Sequence, residues 1–180
     1  MGLRASGKTT LGQALAARLG RTFVDLDEIA AAMLGCVDVP EVWSMHGPSA
    51  FRAAEAGALR QLLEPPPAGS PAGGGALAGV IALGGGTPTA PGVGELLRRH
   101  ADARRIELVY LRATPATLRA RLAGTNLDQR PSLTGAGVVD EVEVVFHQRD
   151  ALYCELATLR LDTDAMTLAQ AEVALVELLA

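Results

Sequence analysis

The sequence has 180 residues, a formal net charge of −4, and 49% hydrophobic against 20% charged residues. This length and balance predict one globular domain and exclude a disordered tail or a general binder of polyanions. Two cysteines and three widely spaced histidines provide neither a disulfide scaffold nor a zinc site. Only one of the 16 basic residues is a lysine, Lys8, which singles out that position.

The uncharged stretch over 65–94 does not predict a membrane span. It contains six of the ten prolines, which cannot be accommodated in a continuous helix facing lipid. The first residues also lack the apolar core of a signal peptide. We therefore expect a cytoplasmic, monomeric protein without a membrane partner, and its acidity argues against a nucleic-acid partner.

Short apolar strands alternate with helices along the chain, which predicts an α/β fold: a parallel sheet with helices on both faces. Residues 64–79 are rich in proline, alanine and glycine and are expected to form a low-complexity insertion. In chain order, the predicted elements are a helix over 11–19 ending at Gly20, a strand over 22–27, a helix over 28–34 capped by Asp27, a helix over 51–63, a strand over 79–83, a helix over 91–99, a strand over 106–111, helices over 115–122 and 139–157, a strand over 159–162 and a helix over 167–179.

Residues 2–9, here called the phosphate loop, read GLRASGKT and satisfy the pattern G-x-x-x-x-G-K-[ST] before a helix. Backbone N–H groups of such a loop surround phosphate oxygens at the positive end of the helix. Lys8 would reach the β- and γ-phosphates, and the Thr9 hydroxyl can ligate Mg²⁺. The alternative is a glycine-rich helix entry without a ligand. The residues expected to bind ATP here are Gly2, Ala5, Ser6, Gly7, Lys8, Thr9 and Thr10.

A phosphate loop normally follows a strand of the sheet, but only Met1 precedes Gly2. We therefore expect the first strand to be missing, which would expose an interior edge of the sheet and weaken the fold. A start codon assigned too far downstream or a shortened chain would explain this.

Asp25 and Asp27 close a predicted strand, at the end where ligands of open α/β sheets bind. Residues two apart on a strand share a face, so both carboxylates can address one crevice, one near Mg²⁺ and one on an acceptor hydroxyl. The alternative is that they only cap a helix. Gly84, Gly85 and Gly86 follow the next buried strand, where missing side chains let a ligand approach the backbone.

Taken together, these residues resemble the shikimate kinase family over nearly the whole chain. Six motifs occur in the family's order: the phosphate loop, Phe23-Val24-Asp25-Leu26-Asp27, Phe51-Arg52-Ala53-Ala54-Glu55, Gly84-Gly85-Gly86, Arg130-Pro131-Ser132-Leu133, and Arg149 followed by Tyr153. The resemblance implies a P-loop kinase fold, a single domain over 1–180 and a mobile lid over 123–137. It also implies transfer of the γ-phosphoryl group of ATP to the 3-hydroxyl of shikimate, in aromatic amino-acid biosynthesis.

On the nucleotide side, the resemblance implies that Lys8 and Thr9 hold phosphate and Mg²⁺ and that Asp25 lies near the metal through water. Arg130, in the lid, would reach the phosphates and act in catalysis. Arg121 would stack on adenine, with Arg119 as a close rival.

On the acceptor side, the resemblance implies that Asp27 binds the acceptor hydroxyls and serves as the base. Arg52 and Arg149 would hold the substrate carboxylate, with the backbone at Gly84, Gly85 and Gly86 alongside. Glu55 would orient Arg52.

The sequence departs from the family pattern at several places. Ala5 stands where the family often has glycine, Ser132 stands where an apolar residue is usual, and the segment over 64–79 is extra. Two other functions stay open: a kinase of another small metabolite, of the gluconate kinase type, and a non-catalytic ligand-sensing module with the same fold.

Overall fold

Four short strands form two parallel pairs in the computed structural model, which describes residues 1–64, 79–124 and 137–179. β1 (Thr22–Asp25) pairs with β2 (Gly79–Ala82), with Thr22 opposite Gly79. β3 (Val109–Arg112) pairs with β4 (Leu159–Asp162), with Val109 opposite Leu159. Parallel pairing requires crossover connections, and helices lie between all of these strands along the chain.

The helices alternate with the strands as the sequence predicts, which confirms the α/β fold. Gly20 ends the first helix in the left-handed conformation (φ 61°), as expected from its lack of a Cβ. The helices in chain order are α1 (Lys8–Leu19), α2 (Leu26–Met33), α3 (Val39–Met45), α4 (Gly47–Leu63), α5 (Val93–Asp102), α6 (Pro115–Ala123), α7 (Val142–Leu156) and α8 (Leu168–Leu178), with a 3₁₀ turn at Thr87–Thr89.

The boundary between β1 and α2 differs from the prediction. The strand ends at Asp25 rather than Asp27, and α2 begins at Leu26. Asp25 caps α2, since its Oδ1 accepts a hydrogen bond from the Asp27 N–H at 3.1 Å. The prediction that Asp27 is the cap is therefore wrong, and the two carboxylates do not share a strand face. The cap ends the strand early because it offers the backbone an alternative to sheet pairing.

Helix α3 was not predicted, although the sequence carries its start signal. The Asp38 side chain accepts from the Glu41 N–H at 2.9 Å, and a proline occupies the first turn. Proline is tolerated there because the first N–H groups of a helix have no partner within the helix. The helix has only seven residues, too few to show a helical period in the sequence.

Met1 lies beside β3. Its amino group donates to the Val109 carbonyl at 2.7 Å, and the Leu111 N–H donates to the Met1 carbonyl at 2.9 Å. Among the described residues no strand precedes the phosphate loop, and β2 and β3 are not paired with each other. The loop therefore starts from the edge of β3 and leads directly into α1.

Core side chains lie on both faces of the strands. Leu111 packs with Leu11 of α1 and Leu175 of α8, whereas Tyr110 belongs to the larger cluster that includes Leu59 and Leu97. Successive residues of a strand point to opposite faces, so β3 is covered by helices on both sides. A third cluster joins α2, α3 and α4.

Residues 65–78 of the predicted insertion and residues 125–136 of the predicted lid, which include Arg130 and Ser132, lie outside the described residues. Within the parts of the chain that the structure describes, none of the helices has the length and apolar character needed to cross a bilayer.

Candidate active site

A cleft of about 460 Å³ opens where the phosphate loop meets the carboxyl ends of β1 and β2. It brings together residues from both predicted sides of the site, although they are up to 144 positions apart. Gly2, Ser6 and Gly84 do not line it, and Arg130 lies outside the described residues. The predicted site residues that line the cleft are Ala5, Gly7, Lys8, Thr9, Thr10, Asp25, Asp27, Arg52, Gly85, Gly86, Arg121 and Arg149.

The phosphate loop turns through two residues in the left-handed region. Gly7, the residue before α1, has φ 91°, and Ala5 has φ 60°. The Lys8 ammonium donates to the Leu3 carbonyl at 2.8 Å, so the lysine folds back over its own loop. A side chain on Gly2 would lie 2.7 Å from the Leu111 carbonyl oxygen, so this glycine is needed for packing against β3. The loop thereby aims the N-terminus of α1 into the cleft.

Thr9 and Asp25 form an oxygen pair next to the phosphate loop. The Thr9 hydroxyl donates to Asp25 Oδ2 at 3.0 Å. Among the described residues no group of three or more histidine, cysteine, aspartate or glutamate side chains could hold a metal. A hydroxyl and one carboxylate suit Mg²⁺, which takes few protein ligands and completes its shell with water and phosphate oxygens.

Asp27, in the first turn of α2, carries a carboxylate oxygen without a partner. Its Oδ1 is buried and accepts no hydrogen bond from the described residues. A Cβ on Gly84 would overlap this oxygen, so glycine is required there to make room for the carboxylate. Burial raises the pKa of Asp27 to about 6, as do the charges of Glu55 and Asp25, while Lys8 and Arg52 act in the opposite direction. The group is still ionised at neutral pH but is a stronger base than an exposed aspartate.

Arg52, on α4, is held by a buried carboxylate. It donates to Glu55, which has 0% exposed surface and also accepts from the Thr87 hydroxyl. A Cβ on Gly86 would overlap the Arg52 guanidinium, which therefore lies against the backbone. The contact expected between Glu55 and Arg52 is present. Glycine at positions 84 and 86 leaves space for the side chains of Asp27 and Arg52. This is a second reason for glycine, besides the predicted approach of a ligand to the backbone.

Two side chains of α7 donate to one carbonyl oxygen. Arg149 Nη1 and the Tyr153 hydroxyl both donate to the Gly85 oxygen. Gly85 also faces the phosphate loop, since a Cβ there would lie 3.6 Å from the Gly2 oxygen. Residues 84–86, here called the glycine loop, thus connect the phosphate loop to α7.

Of the two arginines considered for stacking on adenine, Arg121 lines the cleft and Arg119 does not. Its guanidinium donates to the Thr163 hydroxyl at 3.1 Å and to the Thr163 carbonyl at 2.7 Å. Arg119 instead pairs with Glu143 at 3.1 Å, where both side chains are exposed.

Several residues that line the cleft are fixed by no motif that the sequence shows. Arg4 of the phosphate loop pairs with Glu141 at 3.1 Å, and the Glu141 side chain is buried. Position 4 is a variable place in the loop pattern, and its partner is 137 residues away, so no sequence signal joins them. Trp43 of α3 also lines the cleft, and its Nε1 is buried without a partner among the described residues. Trp43 was not predicted as a site residue because helix α3, on which it lies, was not predicted.

Known proteins resemble this chain over most of its length. A family model described as shikimate kinase matches residues 4–179. The chain is 38% identical over 167 residues to a shikimate kinase of Rhodopirellula baltica, covering 90% of this chain and 79% of that protein. It is 36% identical over 158 residues to shikimate kinase 2 of Yersinia pestis, covering 87% and 80% of the two chains.

Solved structures show the same fold. The shikimate kinase from Acinetobacter baumannii in complex with shikimate superposes with a TM-score of 0.79 at 27% identity, covering 99% of this chain and 89% of that one. The shikimate kinase from Bacteroides thetaiotaomicron gives 0.76 at 27% identity, covering 99% and 95%. These matches confirm the prediction of a kinase with a P-loop fold and do not favour the alternative functions. The chain belongs to the shikimate kinase family.

Proposed function

We propose that this chain transfers the γ-phosphoryl group of ATP to the 3-hydroxyl group of shikimate, giving shikimate 3-phosphate and ADP. One observation carries the proposal: the buried Asp27 oxygen, which has no partner among the described residues, shares a cleft with Lys8 of the phosphate loop and with Arg52 and Arg149. A phosphate-binding loop, a candidate base and two arginines that can hold a small carboxylate thus lie in one cleft.

On the nucleotide side, backbone N–H groups of the phosphate loop and the start of α1 hold the phosphates. Lys8, already folded over the loop, supplies a compact positive charge to the β- and γ-phosphates. Arg121, held by two hydrogen bonds to Thr163, offers a planar face on which adenine stacks. Arg130 of the lid completes the cations around the transferred group.

Thr9 and Asp25 would hold the Mg²⁺ that binds with ATP, with Asp25 acting through water. Their oxygens are 3.0 Å apart at the phosphate loop, and both are hard donors suited to this ion. Bound Mg²⁺ neutralises the charge that develops on the phosphoryl oxygens.

On the acceptor side, Arg52 and Arg149 hold the shikimate carboxylate, and the glycine loop backbone lies alongside. Asp27 then accepts the proton of the 3-hydroxyl as that oxygen forms its bond to the γ-phosphorus and the bond to the β-phosphate oxygen breaks. Its pKa of about 6 leaves it ionised at neutral pH and able to take this proton.

The remaining parts of the proposal concern the whole chain. Residues 1–180 form one domain, in which 123–137 act as a lid that closes on ATP and excludes water, and 64–79 are an insertion. The protein acts as a cytoplasmic monomer, without nucleic-acid or membrane partners.

The test is ADP release by the purified chain with ATP and Mg²⁺, comparing shikimate with gluconate and with nucleoside monophosphates. We expect release to depend on shikimate, with shikimate 3-phosphate identified by mass spectrometry. The Asp27→Asn protein, purified in parallel, controls for a contaminating kinase. Release with gluconate or a monophosphate but not with shikimate would contradict the proposal.

A further inference from the structure

The glycine loop contacts three charged side chains of the cleft. Gly84 packs against Asp27, Gly86 packs against Arg52, and the Gly85 carbonyl accepts from Arg149. A small shift of this loop would therefore change the positions of the proposed base and of both proposed carboxylate ligands together.

Tyr153 is a buried, neutral side chain of α7 that bonds this loop. It has 0% exposed surface, does not line the cleft, and donates its hydroxyl hydrogen to the Gly85 carbonyl. Burial raises the pKa of Tyr153 to about 12, so the hydroxyl keeps its hydrogen at neutral pH and remains a donor. The loop thus has a fixed buried attachment that does not depend on any charged group.

The Tyr153 ring is itself held in place from β3. Tyr110 contacts it edge to face, with ring centroids 5.3 Å apart, and the Tyr110 hydroxyl donates to Asp150 at 2.8 Å. Arg112 donates to both oxygens of Asp150, at 2.8 and 3.1 Å. This network fixes α7 to β3, and the hydrogen bond from Tyr153 connects α7 to the glycine loop.

We propose that Tyr153 is a positioning residue for the acceptor site: its hydroxyl fixes the glycine loop and, through it, Arg149, Asp27 and Arg52. The inference rests on the proposed function, since these three groups are the ones assigned to the acceptor. Tyr153 touches no reacting atom and acts only through the Gly85 carbonyl.

The Tyr153→Phe variant removes the hydroxyl and keeps the ring against Tyr110. We expect the KM for shikimate to rise about fivefold, which is the equivalent of one neutral hydrogen bond. The KM for ATP should stay within about twofold of that of the unsubstituted enzyme, because the phosphate loop is unchanged, whereas kcat should fall because the glycine loop also positions Asp27. In the ligand-free protein, amide hydrogen exchange in the peptide covering 84–90 should become about tenfold faster, because one of the two side-chain bonds that the described residues make to the Gly85 carbonyl is lost.

Tyr110→Phe is the matched control, because it removes the hydroxyl of the other buried tyrosine in the same ring pair. It should lower the melting temperature by a similar amount, yet leave the shikimate KM and the exchange of 84–90 unchanged, because its ring still contacts Tyr153 and the two Arg112 bonds still hold Asp150. Unchanged exchange of 84–90 in Tyr153→Phe, or equal acceleration in both variants, would overturn the inference. So would an unchanged shikimate KM in Tyr153→Phe. An unsubstituted enzyme that does not phosphorylate shikimate would contradict the proposed function instead, and exchange in the ligand-free protein would still decide the role of Tyr153.

Discussion

Lys8 on the nucleotide side and Arg149 on the acceptor side are held by contacts of very different range. The Lys8 ammonium bonds a carbonyl five residues earlier, within one continuous loop. Arg149 and Tyr153 reach Gly85 across 64 and 68 residues. The position of Lys8 therefore depends on local backbone conformation, whereas the acceptor side depends on how α2, α4, α7 and the glycine loop pack.

This difference indicates how each side should respond to substitution. Removing a group that binds phosphate should affect catalysis with little effect on the fold. Removing a group on the acceptor side should change shikimate binding and stability together, because the same contacts serve both. Substitutions at four residues test this contrast, from the largest expected effect to the smallest.

The largest effect is expected from Lys8→Ala. Loss of the charge at the β- and γ-phosphates should lower kcat by about 10³-fold or more. The far-UV circular dichroism spectrum should be unchanged, because the side chain lies on the surface of the loop rather than in the core. Lys8→Arg tests shape at constant charge and should also lose most activity. Turnover near that of the unsubstituted enzyme in Lys8→Ala would contradict the role of this lysine.

Asp27→Asn should lower kcat by about 10²–10⁴-fold, the range for loss of a general base, with little change in the KM for ATP. In the unsubstituted enzyme, kcat/KM should fall as the pH drops below about 6, the pKa of Asp27. An unchanged kcat in the variant would exclude Asp27 as the base.

The same substitution should raise stability at neutral pH. The pKa of Asp27 is higher in the folded protein than its ordinary value of 3.8, so the ionised carboxylate destabilises the fold above about pH 6. This cost disappears as the pH falls from about 6 towards 4, where the folded protein binds the proton more tightly than the unfolded chain. Asp27→Asn should therefore be more stable by about 3 kcal/mol at pH 8, with a smaller difference at pH 5, measured by denaturant unfolding. A variant less stable than the parent at pH 8 would contradict this account.

Glu55→Gln should raise the KM for shikimate about tenfold, because the buried charge that holds Arg52 is lost, an effect of the size expected for one charged hydrogen bond. It should also lower the melting temperature. Glu155→Gln is the matched control, since Glu155 also pairs with an arginine but its side chain is 65% exposed. It should leave both the KM and the melting temperature unchanged. Equal effects of the two substitutions would show that Glu55 does not position Arg52.

The smallest effect is expected at Ala5, which has φ 60° where glycine is favoured. Ala5→Gly should stabilise the fold by about 1 kcal/mol, because it removes the clash of the Cβ in the left-handed region. Activity should change little, since the backbone already has this conformation. Ala103→Gly, at an exposed residue with φ −77°, should be destabilising instead, because glycine loses more backbone entropy on folding. Destabilisation by both substitutions would show that Ala5 is not strained.

Much of the candidate site could be predicted because its motifs are short and consist of residue types suited to the chemistry. The phosphate loop, Asp25 and Asp27, and the glycine loop each lie within a few consecutive residues next to a strand. The end of β1 could not be predicted, because Asp25 fits either as a strand residue or as a helix cap. The pairing of Arg4 with Glu141 could not be predicted either, since it depends on where α7 packs.

The sequence by itself determined the phosphate loop, the alternation of strands and helices, and the kinds of side chain that the site contains. Those features are local, because backbone conformation and hydrophobic period depend on neighbouring residues. Only the tertiary structure decided that Tyr153 and Arg149 meet the Gly85 carbonyl, that Gly84 and Gly86 make room for Asp27 and Arg52, and that Arg121 rather than Arg119 faces the cleft. These contacts join segments far apart in the chain, and they form because packing the core on both sides of the strands brings the helices to fixed places around the loop.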